Sequence, residues 1–349
     1  MIRVAIDAMG GDYAPREVVH GAVLAAREYG ISVQLVGQLP AIEAELKRHE
    51  IAGLNISLVA ASEVVAMDEK PSKAILRKKD SSIVLAMKQV KEGHADAVVA
   101  CGSTGAAAVA ATFNIGRLPN ISRCAIACEM PTIHPNRCIV VDAGANTDCD
   151  AHMLMQFGMM GSILYSGLHN VKRPRVGVLN IGAEETKGTQ LVQDAYRLLK
   201  AREDINFIGF VEGRDYPMGK VDVVVTDGFT GNVSLKTAEG IAKMINHMLK
   251  QELLSSPRGK LGGAIAKPAF QALKKRVDPD EFGGAFLIGL KGVCVIAHGG
   301  SRHTAVKNAI RVACDMVKAD VVSRIEHSFF QSNLKPVTTD TAEPTVTIL

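Results

Sequence analysis

Five glycine-rich polar turns carry most of the residues in this chain that could do chemistry on a small anion. Each turn follows an apolar run and precedes a stretch of helical character. Glycine lets the backbone approach a ligand closely, and a helix N-terminus offers unpaired N–H groups to an anion. Turns that leave the carboxyl ends of parallel strands meet at one edge of a sheet, so we expect these five to form one anion site. They span residues 7–12, 101–105, 142–146, 180–188 and 226–232.

Lys187 is the only lysine within the five turns. It lies between an apolar run that ends at Ile181 and a helical stretch that opens at Gly188, so its ammonium group can neutralise an incoming phosphate as a point charge. The alternative is a surface ion pair with Glu184 or Glu185, which would contribute little to stability. We take Lys187 as the leading candidate for a catalytic residue.

The turn at residues 226–232 provides hydroxyl, amide and backbone groups that can orient a tetrahedral oxyanion. Asn232 is its candidate catalytic residue, although Thr230 or Asn232 could instead cap the helix that follows. Ser103 and Thr104 either hold phosphate or cap an alanine-rich helix, and the two roles are compatible. The candidates for phosphate or substrate binding are Gly10, Gly11, Gly102, Ser103, Thr104, Asn146, Asp227, Thr230 and Gly231.

Two other pairs of reactive side chains have structural roles as alternatives. Cys101 is expected where a strand meets a helix N-terminus, a setting that lowers a thiol pKa, and His298 would be its base. A buried, unreactive thiol is the alternative. Asp148 and His152 are four residues apart and could share a helix face, but two ligands make a weak metal site. We therefore predict no metal and no cofactor, and the dinucleotide, Walker and hydrolase-elbow motifs are absent from the sequence.

Short β-rich runs alternate with helix-length stretches along most of the chain. This alternation predicts βαβ units and a mostly parallel sheet that helices cover on both faces. The expected strands span residues 4–7, 33–36, 56–59, 97–100, 125–128, 139–142, 176–181, 207–211, 221–226, 286–290 and 293–297. The expected helices include residues 15–29, 81–91, 151–167, 190–201 and 303–325.

Composition indicates a cytoplasmic globular protein. Of the 349 residues, 47% are hydrophobic and 22% are charged, and the net charge of +4 is spread along the chain, so a nucleic-acid partner is not expected. The seven cysteines form no C-x-x-C pair, which is typical of buried thiols in a reducing compartment. We recognise no signal peptide and no apolar stretch of the roughly 20 residues that span a bilayer.

One segment, from residue 230 to 276, contains no expected strand. Two helix-like stretches meet there at residues 255–259, with Pro268 expected to kink or restart the second. They have apolar stripes, and eight basic residues against one acidic residue lie between Lys243 and Arg276. We predict a helical hairpin inserted at about residues 232–277 of a single domain (1–330), followed by a flexible tail (331–349). The hairpin either packs on its own sheet with a solvated basic face, or binds a membrane surface or a second subunit.

The motifs together resemble those of bacterial phosphate acyltransferases of phospholipid synthesis, the PlsX family. The matching stretches are residues 6–12, 102–106, 141–146, 179–188, 226–232 and 281–285, and they extend over nearly the whole chain. The resemblance implies a Rossmann-like three-layer α/β/α fold related to phosphotransacetylases and isocitrate dehydrogenase-type enzymes. It also implies a homodimer that moves a long-chain acyl group from acyl carrier protein to inorganic phosphate and forms acyl phosphate.

On this resemblance, phosphate attacks the thioester directly. Lys187 would draw phosphate in, Asn232 and backbone N–H groups would hold the oxyanion, and Ser103, Thr104 and Asn146 would complete the phosphate cradle. The hairpin becomes a candidate for dimerisation and for peripheral membrane contact, next to a membrane glycerol-3-phosphate acyltransferase that uses acyl phosphate. The membrane-contact candidates are Leu253, Leu254, Leu261 and Ile265. Two alternatives are a Cys101-dependent acyltransferase and a non-catalytic anion-binding protein.

Overall fold

The computed structural model describes residues 1–277 and 279–331. Within these residues, eleven strands form one sheet, and each predicted apolar run contains a strand. The strands are β1 (Arg3–Asp7), β2 (Ser32–Gly37), β3 (Ile56–Ala60), β4 (Ala97–Ala100), β5 (Ala125–Met130), β6 (Cys138–Val141), β7 (Arg175–Leu179), β8 (Asn206–Val211), β9 (Val223–Val225), β10 (Ala285–Ile288) and β11 (Val293–Ile296).

Helices cover both faces of this sheet, so the predicted three-layer α/β/α architecture is confirmed. The helices are α1 (Arg16–Tyr29), α2 (Leu39–Leu46), α3 (Pro71–Arg77), α4 (Ser82–Lys91), α5 (Thr104–Asn114), α6 (Ala151–His169), α7 (Gln190–Lys200), α8 (Gly228–Leu254), α9 (Pro257–Val277), α10 (His303–Lys318) and α11 (Val321–Gln331). The predicted tail, apart from Gln331, lies outside the described residues, and the division into one domain stays a prediction.

The sheet consists of two parallel blocks that run in opposite directions. The strand order is β3-β2-β1-β4-β11-β10-β5-β6-β9-β7-β8, and the pairs β11–β10, β10–β5 and β5–β6 are antiparallel. Strands β1, β4 and β11 therefore point one way, and β6, β9 and β7 point the other way. The expectation that all five glycine turns lie at one edge is wrong, because their strands end at two different edges. Four strand-to-strand steps separate β4 from β6, and adjacent strands are rotated by about 20–25° relative to one another. The carboxyl ends of the two blocks therefore do not point in directly opposite directions.

An aliphatic core fills the space on each side of the sheet. On one face, α1, α6, α10 and α11 pack on the strands around Phe157, Phe286 and Phe329. On the other face, α4 and α5 cover the first block. The base of α8 covers the junction of the blocks, where Leu235 packs against the apolar clusters of both. The first turns of α8 are thereby fixed to the sheet edge from which the helix starts.

One helix prediction is wrong: the helix expected at residues 303–325 is two helices, because the chain breaks at Asp320, which has a φ of 50°. Pro268 lies inside α9, so the helix does not restart there, and a kink at Pro268 stays a prediction. The hairpin is confirmed as α8 and α9, and most of its length has few contacts with the sheet. In the part of the chain that the structure describes, no helix combines the length and the apolar character needed to cross a membrane.

Candidate active site

Three of the five glycine turns meet at one edge of the sheet. Strands β6, β9 and β7 are neighbours and parallel, so the turns at residues 142–146, 226–232 and 180–188 follow one another along their carboxyl ends. The turns also contact each other directly, since the backbone N–H of Gly228 donates to the carbonyl oxygen of Asn146 at 2.7 Å. Asn146 and Asn232 therefore lie in contacting turns, and Lys187 lies in the turn that follows the neighbouring strand β7.

A buried carboxylate organises the first of these turns. The two oxygens of Asp142 accept hydrogen bonds from the backbone N–H groups of Ile126 at 3.0 Å, Gly144 at 3.1 Å, Ala145 at 3.0 Å and Asn146 at 2.7 Å. The Asn146 amide donates to the carboxylate as well, at 2.8 Å. Burial raises the pKa of the Asp142 carboxyl, and these donors act in the opposite direction by stabilising the carboxylate. Asp142 thus fixes the turn against the start of β5.

The start of α8 is capped by its own acidic residue rather than by Thr230 or Asn232. The carboxylate of Asp227 accepts the Thr230 backbone N–H at 2.8 Å and the Thr230 hydroxyl at 2.7 Å. The N–H of Gly231 donates to the Asp227 carbonyl at 2.9 Å. Among the described residues, the Phe229 N–H alone of the first four in α8 has no partner. The end of this helix therefore offers one backbone donor instead of the several that we expected.

Several residues that we predicted to bind phosphate already form hydrogen bonds within these turns. Both amide hydrogens of Asn146 are donated, to Asp142 and to the Cys124 carbonyl at 2.8 Å. Asp227 and Thr230 bind each other, and a side chain at Gly231 would collide with the Asp142 carbonyl oxygen. The carboxylate of Asp227 would also repel an anion. The hydrogen bonds support a positioning role for Asn146, Asp227 and Thr230, and direct contact of these residues and Gly231 with phosphate stays a prediction.

Lys187 and Asn232 have uncommitted side chains at the same edge. Lys187 is exposed, and within residues 1–277 and 279–331 its ammonium group forms neither an ion pair nor a hydrogen bond. The alternative pairing with Glu185 does not occur, since that carboxylate binds Lys200 at 3.0 Å and Tyr196 at 2.5 Å. The half-buried Asn232 lies over Gly144, and its amide forms no hydrogen bond in the described part of the chain. A positive charge and an amide hydrogen-bond donor are therefore available to an anion at the carboxyl ends of these strands.

The other two glycine turns form a separate group at the carboxyl ends of β1 and β4. A Cβ on Gly10 would lie 2.9 Å from the Gly102 nitrogen, and one on Gly11, whose φ is 93°, would lie 2.5 Å from the Cys101 carbonyl oxygen. These glycines are explained by the close packing of the two turns. Ser103 caps α5 by accepting the Ala106 N–H at 3.4 Å, and Thr104 is exposed beside it. Gly10, Gly11, Gly102, Ser103 and Thr104 lie at the carboxyl ends of β1 and β4, in the other block from Lys187, and their part in anion binding stays a prediction.

Cys101 has the surroundings of an unreactive thiol. It is buried, and burial, together with the nearby Asp7 carboxylate, raises the pKa of its thiol well above the usual range. The proposed base, His298, is exposed and accepts the Gly300 N–H through its Nδ1 atom at 3.2 Å. The alternative of a covalent Cys101 intermediate therefore lacks the thiolate that it needs.

We expect the Cys101→Ser enzyme to retain acyl transfer within about threefold of the parent, because a hydroxyl nearly replaces a thiol that takes no part in the reaction. The measurement is steady-state turnover together with mass spectrometry of the protein during turnover. A loss of more than a hundredfold, or a protein mass increased by one acyl group, would restore the covalent mechanism.

Two groups at this edge were not predicted from the sequence: the Asp142 carboxylate and the free Phe229 N–H. Asp142 is not among the residues predicted for the site, although a carboxylate directly after a buried strand, followed by small residues, is a recognisable signal for a turn held by backbone N–H groups. The free Phe229 N–H had no sequence signal, because it depends on which residue caps the helix.

Comparison with known proteins shows which family this chain belongs to. The model of a family described as "Fatty acid synthesis protein" matches residues 2–324. A phosphate acyltransferase of Clostridium botulinum (strain Loch Maree / Type A3) is 47% identical over 326 residues, which cover 93% of this chain and 97% of the relative. A phosphate acyltransferase of Nitratidesulfovibrio vulgaris (strain DP4) is 45% identical over 322 residues, which cover 92% of this chain and 93% of the relative.

The solved structures that resemble this chain share its fold at low sequence identity. A phosphotransacetylase from Streptococcus pyogenes superimposes with a TM-score of 0.63 and 17% identity, covering 92% of this chain and 94% of the other. A branched-chain phosphotransacylase from Enterococcus faecalis V583 gives a TM-score of 0.55 and 13% identity, covering 91% and 100%.

The chain belongs to the fatty acid synthesis protein family that the matching model describes. Its activity is that of a phosphate acyltransferase in fatty acid and phospholipid synthesis.

Proposed function

We propose that the protein transfers a long-chain acyl group from the thiol of acyl carrier protein to inorganic phosphate. The observation that carries this proposal is the ammonium group of Lys187, unpaired among the described residues, in the turn after β7, the strand next to the one that leads to the uncommitted amide of Asn232. One free cation and neutral donors suit a small anion that reacts next to a neutral carbonyl group.

The reaction needs positioning and charge stabilisation more than a protein nucleophile. An oxygen of hydrogen phosphate attacks the thioester carbonyl carbon, the C–O bond forms, and the C–S bond then breaks with its electron pair moving to sulfur. The proton of hydrogen phosphate passes to the thiolate, so acyl phosphate and the free carrier thiol leave. Phosphate is largely anionic near pH 7, and a thiol with a pKa near that of Cys, about 8.5, is a reasonable leaving group.

Each available side chain has a distinct part in this step. The Lys187 ammonium attracts phosphate and offsets its charge, while the Asn232 amide and the Phe229 N–H donate to the oxyanion that develops on the carbonyl oxygen. Asp142, Asn146 and Asp227 hold the turns in place through the hydrogen bonds described above. Asn146 thereby supports the site without contacting phosphate.

The product identifies the reaction most directly. Palmitoyl carrier protein and inorganic phosphate are incubated with the protein, and acyl phosphate is trapped with hydroxylamine as the hydroxamate. We expect hydroxamate above the background from the thioester itself only when phosphate and protein are both present. Free palmitate instead of hydroxamate would indicate a hydrolase, and binding of phosphate without either product would favour the non-catalytic alternative.

We also propose that the α8–α9 hairpin contacts the membrane and a second copy of the chain, so that the cytoplasmic enzyme is a peripherally bound homodimer. Leu254, Leu261 and Ile265 are 53%, 65% and 74% exposed around the turn between the helices. Leu253 is half-buried against α9, since a Cβ on Gly263 would lie 3.6 Å from its side chain. The basic residues of the hairpin suit both an anionic bilayer and the acidic carrier protein. A membrane glycerol-3-phosphate acyltransferase would consume the acyl phosphate there.

We expect the Leu254→Glu/Leu261→Glu double variant to float with anionic vesicles at least fivefold less than the parent, because two apolar contacts are replaced by charges that the lipid headgroups repel. Flotation on phosphatidylglycerol vesicles measures this, with Met218→Glu, an exposed apolar residue outside the hairpin, as the control. Unchanged flotation of the double variant would remove the tip as the anchor.

A further inference from the structure

The short helix α3 and its flanking residues form a basic surface around an exposed leucine. Lys73, Leu76 and Arg77 lie on one side of the helix, since they follow one another at intervals of three and four residues from Lys73. Lys70 precedes the helix and Lys79 follows it, and all four basic side chains are exposed. Leu76 is 57% exposed. We call these five positions the α3 patch.

The four cations of the α3 patch are unpartnered. In the part of the chain that the structure describes, none of them forms an ion pair or donates a side-chain hydrogen bond. Two of the acidic residues nearby are already used, because Glu69 binds Lys78 at 2.5 Å and Asp80 accepts the Ser62 N–H at 3.0 Å. Asp68 is the one carboxylate of residues 67–80 without such a contact among the described residues. The patch therefore keeps an uncompensated positive charge.

Packing within the protomer accounts for only the other side of α3. Ala74 and Ile75 are buried there, and Ile75 belongs to the apolar cluster that α5 also forms. The helix is thus fixed to α5 with Leu76 and the cations directed away from the core. An apolar centre with a polar rim is the general arrangement of a protein–protein interface.

The α3 patch borders the glycine turns at the carboxyl ends of β1 and β4. A Cβ on Gly299 would lie 2.6 Å from the side chain of Met67, in the segment that leads into α3. The Gly299 carbonyl oxygen accepts the Asp12 N–H at 2.9 Å, so these contacts extend to the turn at residues 7–12. Helix α5, on which α3 packs, begins at Thr104. A partner bound to the patch would therefore lie beside two turns that the sequence predicts to bind substrate.

We propose that the α3 patch is a docking surface for the acyl carrier protein, an inference that rests on the proposed function. Charge identifies the occupant, because an acidic protein neutralises the four cations while an apolar residue on its surface covers Leu76. A bilayer fits less well, since one exposed leucine on a short helix offers little apolar area for insertion. The carrier presents its acyl group on a flexible arm, so its docking surface does not need to include the reacting atoms.

The test reverses two charges of the patch. Lys73→Glu/Arg77→Glu is compared with Lys47→Glu/Lys172→Glu, which makes the same change in net charge at two exposed lysines that form no ion pair among the described residues. We expect the patch variant to have a KM for palmitoyl carrier protein raised about tenfold, because two attractive contacts become repulsive. We expect its kcat and its KM for phosphate to stay within twofold of the parent, and the control variant to match the parent.

An unchanged KM for the carrier, or an equal increase in the control variant, would overturn the proposal. Flotation on phosphatidylglycerol vesicles that falls fivefold in the patch variant, with carrier binding unchanged, would assign the patch to the membrane instead. A smaller species of the patch variant in sedimentation, again with carrier binding unchanged, would assign it to a second copy of the chain.

A titration with palmitoyl carrier protein in the absence of phosphate separates this inference from the proposed function. We expect the patch variant to bind at least fivefold more weakly than the parent and the control variant. Because the titration needs no turnover, a parent protein that binds the carrier through the patch but forms no product overturns the proposed function alone. A parent that forms acyl phosphate, with a patch variant that binds the carrier equally well, overturns the docking surface alone.

Discussion

Replacing Lys187 with alanine is expected to reduce kcat/KM for phosphate about a hundredfold, with little change in stability. The ammonium group makes no ion pair in the described part of the chain, so its removal leaves no partner unsatisfied. The size of the loss follows from removing one charged group that stabilises the reacting anion. Initial rates of thiol release over a range of phosphate concentrations measure it.

Two further variants sharpen this test. Lys187→Arg keeps the charge but changes its geometry, and we expect it to recover part of the rate. Lys220→Ala is the matched control, because Lys220 pairs with Asp215 at 2.7 Å near the start of β9, at the other end of that strand from the site. A Lys187→Ala enzyme that keeps a near-normal rate at saturating phosphate would contradict the role of the lysine.

The second large effect is expected for Asp142→Ala, on stability as well as activity. Five N–H donors converge on this buried carboxylate, and removing it leaves them without their acceptor. We expect the free energy of unfolding to fall by about 3–5 kcal/mol, and activity to fall as well because Asn146 and the start of α8 lose their support. Urea unfolding followed by circular dichroism measures the change.

Asp142→Asn keeps the shape of the side chain and serves where the alanine variant does not fold. One of its oxygens becomes an amide nitrogen, so we expect a smaller but clear loss of stability. Asp194→Asn removes the charge of a half-exposed carboxylate that pairs with Arg197, and should change the free energy of unfolding by less than about 1 kcal/mol. Equal stabilities of the Asp142→Asn and Asp194→Asn proteins would refute the organising role of Asp142.

Local sequence patterns were sufficient to predict the strands and layers of this fold. Each apolar run bounded by polar turns became a strand, because burial on both sides leaves few other conformations for such a run. The direction of the strands was harder. Residues Lys291 and Gly292 separate two expected strands by a two-residue turn, which is a hairpin signal, and β10 and β11 are antiparallel. That signal alone does not divide the glycine turns between two edges, because the division also depends on the antiparallel pairs β10–β5 and β5–β6.

The site was predicted in part, and the limit has a physical cause. Residues that bind an anion and residues that hold a turn are of the same types, so the sequence at residues 226–232 fits Asp227, Thr230 or Asn232 as the helix cap. Hydrogen bonds decide between them, and they depend on which strands are neighbours. The break between α10 and α11 has a similar origin, since Asp320 adopts a positive φ and accepts the Ser323 hydroxyl at 2.7 Å without a glycine or proline to mark it.

The most direct test of the central claim is thiol release from palmitoyl carrier protein by the parent enzyme, measured with and without inorganic phosphate. Direct attack predicts release that rises with phosphate, saturates, and is negligible when phosphate is omitted. Release at the same rate without phosphate would contradict the account, because water or a protein nucleophile would then be the acceptor of the acyl group.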